Sequence, residues 1–121
     1  PRYMGWADQN ARESGGSIQV SHDIAASYAD AEVVYAKSWG ALPYFGQWDG
    51  EKPMREQNQH FIVDEAKLAL TNNAVFSHCL PLRRNVKATD GVMDSPSCIA
   101  INEAENRLHV QKAIMAALAS Q

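Results

Sequence analysis

The sequence predicts an α/β fold: a doubly wound parallel sheet with helices on both faces. Three observations lead there. Short apolar runs, Val33-Val34-Tyr35-Ala36, Ala74 to Leu80 and Cys98-Ile99-Ala100-Ile101, are separated by segments with helical spacing of their apolar residues. The runs are continuous rather than alternating, as strands covered on both faces are. Polar chemistry gathers where two of them end, at Lys37-Ser38-Trp39-Gly40 and at His78-Cys79-Leu80-Pro81. In open parallel sheets, ligands bind outside those carboxyl ends.

Taken in order, residues 2 to about 13 read as a helix that exits through Gly15-Gly16, a pair suited to a left-handed cap. Ser17 to Ser21 alternates like a short strand. Asp23 can cap a helix carrying Ile24 and Tyr28. Val33 to Ala36 is expected to be a buried strand. Residues 40–56 mix Gly and Pro with aromatics and read as a long ordered loop, a feature that is usually functional inside a compact domain. His60 to Leu70 reads as a helix with Phe61, Ala66, Leu68 and Ala69 toward the core. Asn72-Asn73 turns the chain into the strand Ala74 to Leu80. Thr89-Asp90 starts a short helix that ends before Ser95-Pro96, and Cys98 to Ile101 is a third short buried strand. The last helix, Glu103 to Ser120, opens with acidic residues that suit the helix dipole and carries a broad apolar face of Leu108, Val110, Ile114, Met115 and Leu118.

The bulk properties exclude several classes. A chain of 121 residues holds about one domain and can build a core without disulfide staples. A net charge of −3 with no basic stripe gives nucleic-acid binding little support. No apolar stretch approaches the roughly 20 residues that span a bilayer, and no signal-peptide pattern opens the chain. Cys79 and Cys98 sit in separate apolar runs, which suits buried thiols in a reducing compartment better than a disulfide framework. The opening, Pro1-Arg2-Tyr3-Met4, reads as though cut from something longer.

A metal site finds little support. His78 and Cys79 are neighbours on a strand and point to opposite faces, and no CxxC or HxxxH spacing is present. Cys79 reads as a nucleophile lowered in pKa by nearby arginines, as an inert thiol, or as a thiol lining a substrate. Arg83, Arg84 and Lys87 read either as a solvated cationic loop or as an anion site, since an arginine fork matches carboxylate and phosphate. Arg107 follows Glu103 and Glu105, so an intrahelical ion pair is its plain reading. Lys37 either snorkels to solvent or meets an anion. Glycine-rich phosphate loops and GxSxG elbows are absent.

Two segments then carry a resemblance. His78-Cys79-Leu80-Pro81 is similar to the HCLP signature of the transcarbamylases, and Glu103-Ala104-Glu105-Asn106-Arg107 resembles the EAENR segment that opens their last helix. The loop Lys37-Ser38-Trp39-Gly40-Ala41-Leu42-Pro43, and the continuation Leu82-Arg83-Arg84-Asn85-Val86-Lys87, resemble the branch of that family acting on N-acetylornithine. Lys87 favours this branch over its succinylornithine relatives.

The resemblance implies a partial second domain of a two-domain transcarbamylase. Residues 1–121 would be most of the C-terminal, amino-acid-binding domain with the C-terminal helix, and the N-terminal carbamoyl-phosphate domain would be absent. It implies transfer of a carbamoyl group from carbamoyl phosphate to the δ-amine of N2-acetyl-L-ornithine, in arginine biosynthesis. No cofactor or metal is implied, nor a nucleic-acid or membrane partner. The complete enzyme would be a cytoplasmic homotrimer, and the piece alone inactive. By resemblance, Lys37 holds the substrate α-carboxylate. Cys79 and the Leu80 carbonyl line the reacting amine, and Arg107 binds the carbamoyl oxygen or phosphate. His78 orients the site by hydrogen bonding. Lys87 sits near the acylamino-acid site and is a candidate for carboxylation to N6-carboxylysine. Arg83 fixes the loop through an ion pair. The Leu80–Pro81 bond is expected to be cis. The alternatives are an ornithine- or succinylornithine-type enzyme, or a non-catalytic amino-acid-binding module.

Overall fold

The computed structural model describes residues 2–120; Pro1, at the abrupt opening, and Gln121 lie outside them. The first helix, α1 (Arg2–Ser14), ends as its glycines demand: Gly15 takes φ +76° and Gly16 N–H donates to Ala11 O at 2.7 Å. That is the six-to-one bond of a Schellman cap, which a residue with a β-carbon would disfavour. The strand expected at Ser17 to Ser21 does not form. Ile18 and Val20 stay exposed, and the backbone finds no partner strand among the described residues. Alternation without a sheet to join is insufficient. Asp23 caps α2 (Ile24–Tyr28) by accepting the Ala26 N–H at 3.0 Å.

The centre is a parallel pair, β1 (Val33–Tyr35) and β2 (Val75–Ser77), in register Val33 to Val75, Val34 to Phe76 and Tyr35 to Ser77. Successive residues of a strand present their polar groups to opposite edges. Phe76 therefore uses its other edge: its N–H donates to Ser97 O at 2.8 Å, and its carbonyl accepts from Ile99 N–H at 2.9 Å. The expected strand Cys98 to Ile101 is reduced to this one parallel bridge, because α6 (Ala100–Ala119) already begins inside it. The final helix thus starts earlier than Glu103.

β2 is the central element and Phe76 is fully buried, packed with Val63, Ala88 and Val92. β1 lies at the edge, and the expectation that it is buried is corrected: Val33 is 61% exposed and Tyr35 54%, while Val34 packs on the core.

Residues 40–56 are not a loop throughout. Leu42–Tyr44 form a 3₁₀ turn with Pro43 in its opening positions, and Trp48–Gln57 form α3 with Pro53 inside it. Glycine and proline density hid a helix that tertiary contacts hold. Buried Glu51 accepts the Ala41 N–H at 3.0 Å and pairs with Arg55, which stacks on Trp48.

The helix expected over His60 to Leu70 is broken. Gln59–Phe61 make a 3₁₀ turn and Val63 bridges to Ala88 through two backbone bonds, Val63 N–H to Lys87 O and Thr89 N–H to Val63 O. Only Glu65–Leu68, α4, is α-helical, capped by Asp64. Of the four residues expected at the core, Leu68 packs there, whereas Phe61, Ala66 and Ala69 are exposed.

Thr89 caps α5 (Asp90–Met93) as expected. Beyond it, α6 is held to the body through its first turn, and its apolar face, Leu108, Val110, Ile114, Met115 and Leu118, is more than half exposed at each position. Among the described residues no helix is long and apolar enough to cross a membrane.

Candidate functional site

Parallel pairing brings the ends of β1 and β2 side by side, and that fixes what meets there. Two residues past β1, Lys37 Nζ lies 3.8 Å from Cys79 Sγ, which stands two residues past β2. His78 and Cys79 point apart, as neighbours on an extended chain do. His78 is fully buried, and its Nδ1–H donates to the Cys79 carbonyl. A carbonyl only accepts, so that bond places a proton on Nδ1. Among the described residues Nε2 has no partner, though it is buried. Cys79 is half-buried and, like Cys98, a free thiol. The Leu80–Pro81 peptide is cis.

Two hollows flank this bend. One, of about 530 Å³, is lined by Cys79, Leu80, Glu103, Asn106 and Arg107. The other, of about 300 Å³, is lined by Ser38, Trp39, Arg55, Pro81, Arg83 and Lys87. Cys79, Leu80 and Arg107 therefore share one hollow, Lys37 reaches them through its contact with Cys79, and Lys87 and Arg83 line the other hollow. Arg107 makes no ion pair among the described residues, so its plain sequence reading does not hold.

Lys87 is buried. Its Nζ donates to Trp39 O at 3.0 Å and sits 3.6 Å from the centre of the Trp39 ring. Burial lowers its pKa from the usual lysine range, and the Arg55 and Arg83 guanidiniums lower it further against the opposing pull of Glu51. Arg83 is a correction: it forms no ion pair among the described residues but stacks on Trp48, 4.4 Å from the ring centre, as Arg55 also does. The ion pair that fixes the loop belongs to its neighbour. Arg84 reaches Asp90 at 2.8 Å and Asp94 at 2.5 Å, holding both carboxyls below their ordinary pKa. Asn85, at φ +58°, turns the chain so that Arg84 faces them, and it adds its own bond to Asp90.

Sequence reasoning missed three residues that tie the strand ends to α6. Tyr35 OH donates to Glu103 Oε1 at 3.0 Å, and Ser77 Oγ donates to Glu103 Oε2. The hydrogen bond to Glu103 raises the Tyr35 pKa above the usual phenol value, with burial adding to it. No local pattern announces these contacts; only the acidic opening of EAENR hinted at Glu103. Among the described residues, no group of three or more His, Cys, Asp and Glu side chains could hold a metal ion.

This arrangement can bind an amino acid at one strand end and an anion at the first turns of α6, with a backbone carbonyl and a thiol between them. The aspartate/ornithine carbamoyltransferase Asp/Orn binding domain matches residues 1–118. An N-acetylornithine carbamoyltransferase of Xanthomonas axonopodis pv. citri is 81% identical over 120 residues, covering 99% of this chain and 35% of that protein. An ornithine carbamoyltransferase of Thermococcus kodakarensis is 40% identical over 120 residues, covering 96% of this chain and 36% of its own length. A crystal structure of acetylornithine transcarbamylase complexed with acetylcitrulline superposes with a TM-score of 0.86 at 80% identity, covering 97% of this chain and 35% of that one. The chain thus spans about a third of the length of these relatives.

Proposed function

The chain belongs to the aspartate/ornithine carbamoyltransferase family, and on that premise we propose that it is the amino-acid-binding part of an N-acetylornithine carbamoyltransferase. The reaction is attack of the δ-amine of N2-acetyl-L-ornithine on the carbonyl carbon of carbamoyl phosphate. A C–N bond forms, the C–O bond to phosphate breaks, and the amine loses a proton. The products are N-acetylcitrulline and phosphate, a step toward arginine.

The observation that carries this reading is that Cys79, Leu80 and Arg107 line one hollow between the end of β2 and the start of α6, with Lys37, past the end of β1, against Cys79. Each group suits one demand of the reaction. The Lys37 ammonium offers the α-carboxylate a charge-assisted bond. The Leu80 carbonyl and Cys79 thiol receive the N–H groups of the reacting amine and the carbamoyl nitrogen. The Arg107 guanidinium meets the oxygen on which negative charge grows, which is where stabilisation lowers the barrier. His78 orients the turn through the Cys79 carbonyl. No side-chain nucleophile is needed, so positioning supplies the rest.

Lys87, buried and with its pKa lowered, is suited to carboxylation, in which the deprotonated amine adds carbon dioxide and releases a proton. The resulting carbamate would face Arg55 and Arg83. A carbamoyl-phosphate domain elsewhere in the protein, a homotrimeric assembly and a cytoplasmic setting belong to the same proposal. The high identity to acetylornithine enzymes, against 40% for the ornithine enzyme, gives the acetylated substrate precedence.

The test is a full-length assay with ornithine, N-acetylornithine and N-succinylornithine, each with carbamoyl phosphate. Turnover should be greatest with N-acetylornithine. Preference for either other amine, or no carbamoyl transfer, overturns the assignment. Residues 1–121 alone should give no product.

A further inference from the structure

Glu103 stands four residues before Arg107 on α6, acid preceding base, the spacing and order in which helical side chains pair most readily. Elsewhere in the molecule that spacing closes. Asp8 meets Arg12 at 2.6 Å, Glu51 meets Arg55 at 2.5 Å, and on α6 itself Glu105 reaches His109 at 3.7 Å. Glu103 and Arg107 do not close. Both carboxylate oxygens of Glu103 are turned to the strand ends, one accepting from the Tyr35 hydroxyl at the end of β1 and the other from the buried Ser77 hydroxyl at the end of β2.

We infer that Tyr35 and Ser77 are positioning residues: by drawing both oxygens of Glu103 toward the strand ends they hold that carboxylate away from Arg107 and keep the guanidinium free for the anionic co-substrate. The inference rests on the proposed role of Arg107. A paired Arg107 would have to break an ion pair before it could bind a phosphate, so the competition lowers affinity for the phosphate-bearing substrate alone. The same two bonds set the height of α6 against the strand ends, and hence where Arg107 stands relative to Cys79 and Leu80.

The experiment uses the full-length enzyme. Tyr35→Phe/Ser77→Ala should raise KM for carbamoyl phosphate about two- to fivefold, the penalty of competing with a partly exposed ion pair. KM for the amino acid should hold. Adding Glu103→Gln should return KM toward wild type, since a neutral amide cannot pair with Arg107. A purely structural role predicts no such rescue, and its absence overturns the inference. Should loss of the buried Ser77 hydroxyl prevent folding, Tyr35→Phe alone, at an exposed position, and its Glu103→Gln combination make the same test with a smaller rise. Arg107→Ala separates the two layers. If it raises KM for carbamoyl phosphate while the Tyr35 and Ser77 changes do not, the inference alone fails. If it leaves that KM unchanged, the reading of Arg107 fails and the inference falls with it.

Discussion

The ammonium of Lys37 and the thiol of Cys79 meet at 3.8 Å across the ends of β1 and β2. The contact joins residues 42 positions apart in the sequence and puts a cation where the second strand leaves its ladder. Lys37→Ala in the full-length enzyme should weaken binding of the acylated ornithine by about 1.5–3 kcal/mol, the range of a charge-assisted hydrogen bond. That corresponds to roughly tenfold to a hundredfold in KM, with a smaller change for carbamoyl phosphate. An unchanged KM for the amino acid rejects the assignment.

Arg84→Met should destabilise the protein at neutral pH and make no difference in acid. The Arg84 guanidinium holds the Asp90 and Asp94 carboxyls below their usual range. A carboxyl with a depressed folded pKa stabilises above its unfolded value and loses that contribution as pH falls through the folded one. The gap in melting temperature between wild type and variant should therefore be full at neutral pH and close below about pH 4. A gap that persists unchanged into acid contradicts the ion-pair account.

Lys87 gives a slope of the same sign at higher pH, but from a penalty rather than a gain, because burial disfavours its charged form. Its folded pKa lies below that of a free lysine. Between the two values the unfolded chain binds more protons, so stability rises with pH through that window. Lys87→Met should flatten the slope. Native mass spectrometry of the full-length enzyme at mildly alkaline pH should also show one added carbon dioxide, lost on acidification and absent from Lys87→Met. Neither effect appearing would leave Lys87 an ordinary buried cation.

Phe76→Ala should cost about 3–5 kcal/mol, the usual penalty for emptying a packed aromatic site. Phe76 is fully buried between Val63, Ala88 and Val92, and both its backbone N–H and its carbonyl are bonded to the segment that leads into α6. Denaturant titration of the full-length protein measures the loss, and a change below about 1 kcal/mol would deny β2 its central place.

What the sequence made legible was what local chemistry determines. Asp23 and Thr89 are caps by their side chains, and Gly15 is a terminator by its freedom at positive φ. The apolar run around Phe76 could hardly be elsewhere than in the core. Helix α3 was illegible because its stability is tertiary: Glu51 is satisfied by Ala41 and Arg55, and Arg55 stacks on Trp48, while Gly50 and Pro53 argue locally against a helix.

The candidate site divides the same way. Lys37, Cys79, Leu80 and Arg107 stand in dense polar motifs that draw notice. Tyr35 and Ser77 look like ordinary strand residues, and their role exists only through a partner on a distant helix. Choosing between the adjacent Arg83 and Arg84 for the ion pair depended on the left-handed turn at Asn85, which sequence spacing does not reveal.

The bond from Tyr35 to Glu103 closes a span of 68 residues. Contacts that distant form only after the intervening chain has settled, because closing a long loop costs entropy before it returns any stabilisation. During synthesis, both strand ends are therefore ready before the guanidinium has anywhere to be held. A nascent chain stalled short of its final helix would lack Glu103 and Arg107 together, and its strand ends would keep the Tyr35 and Ser77 hydroxyls without their shared acceptor.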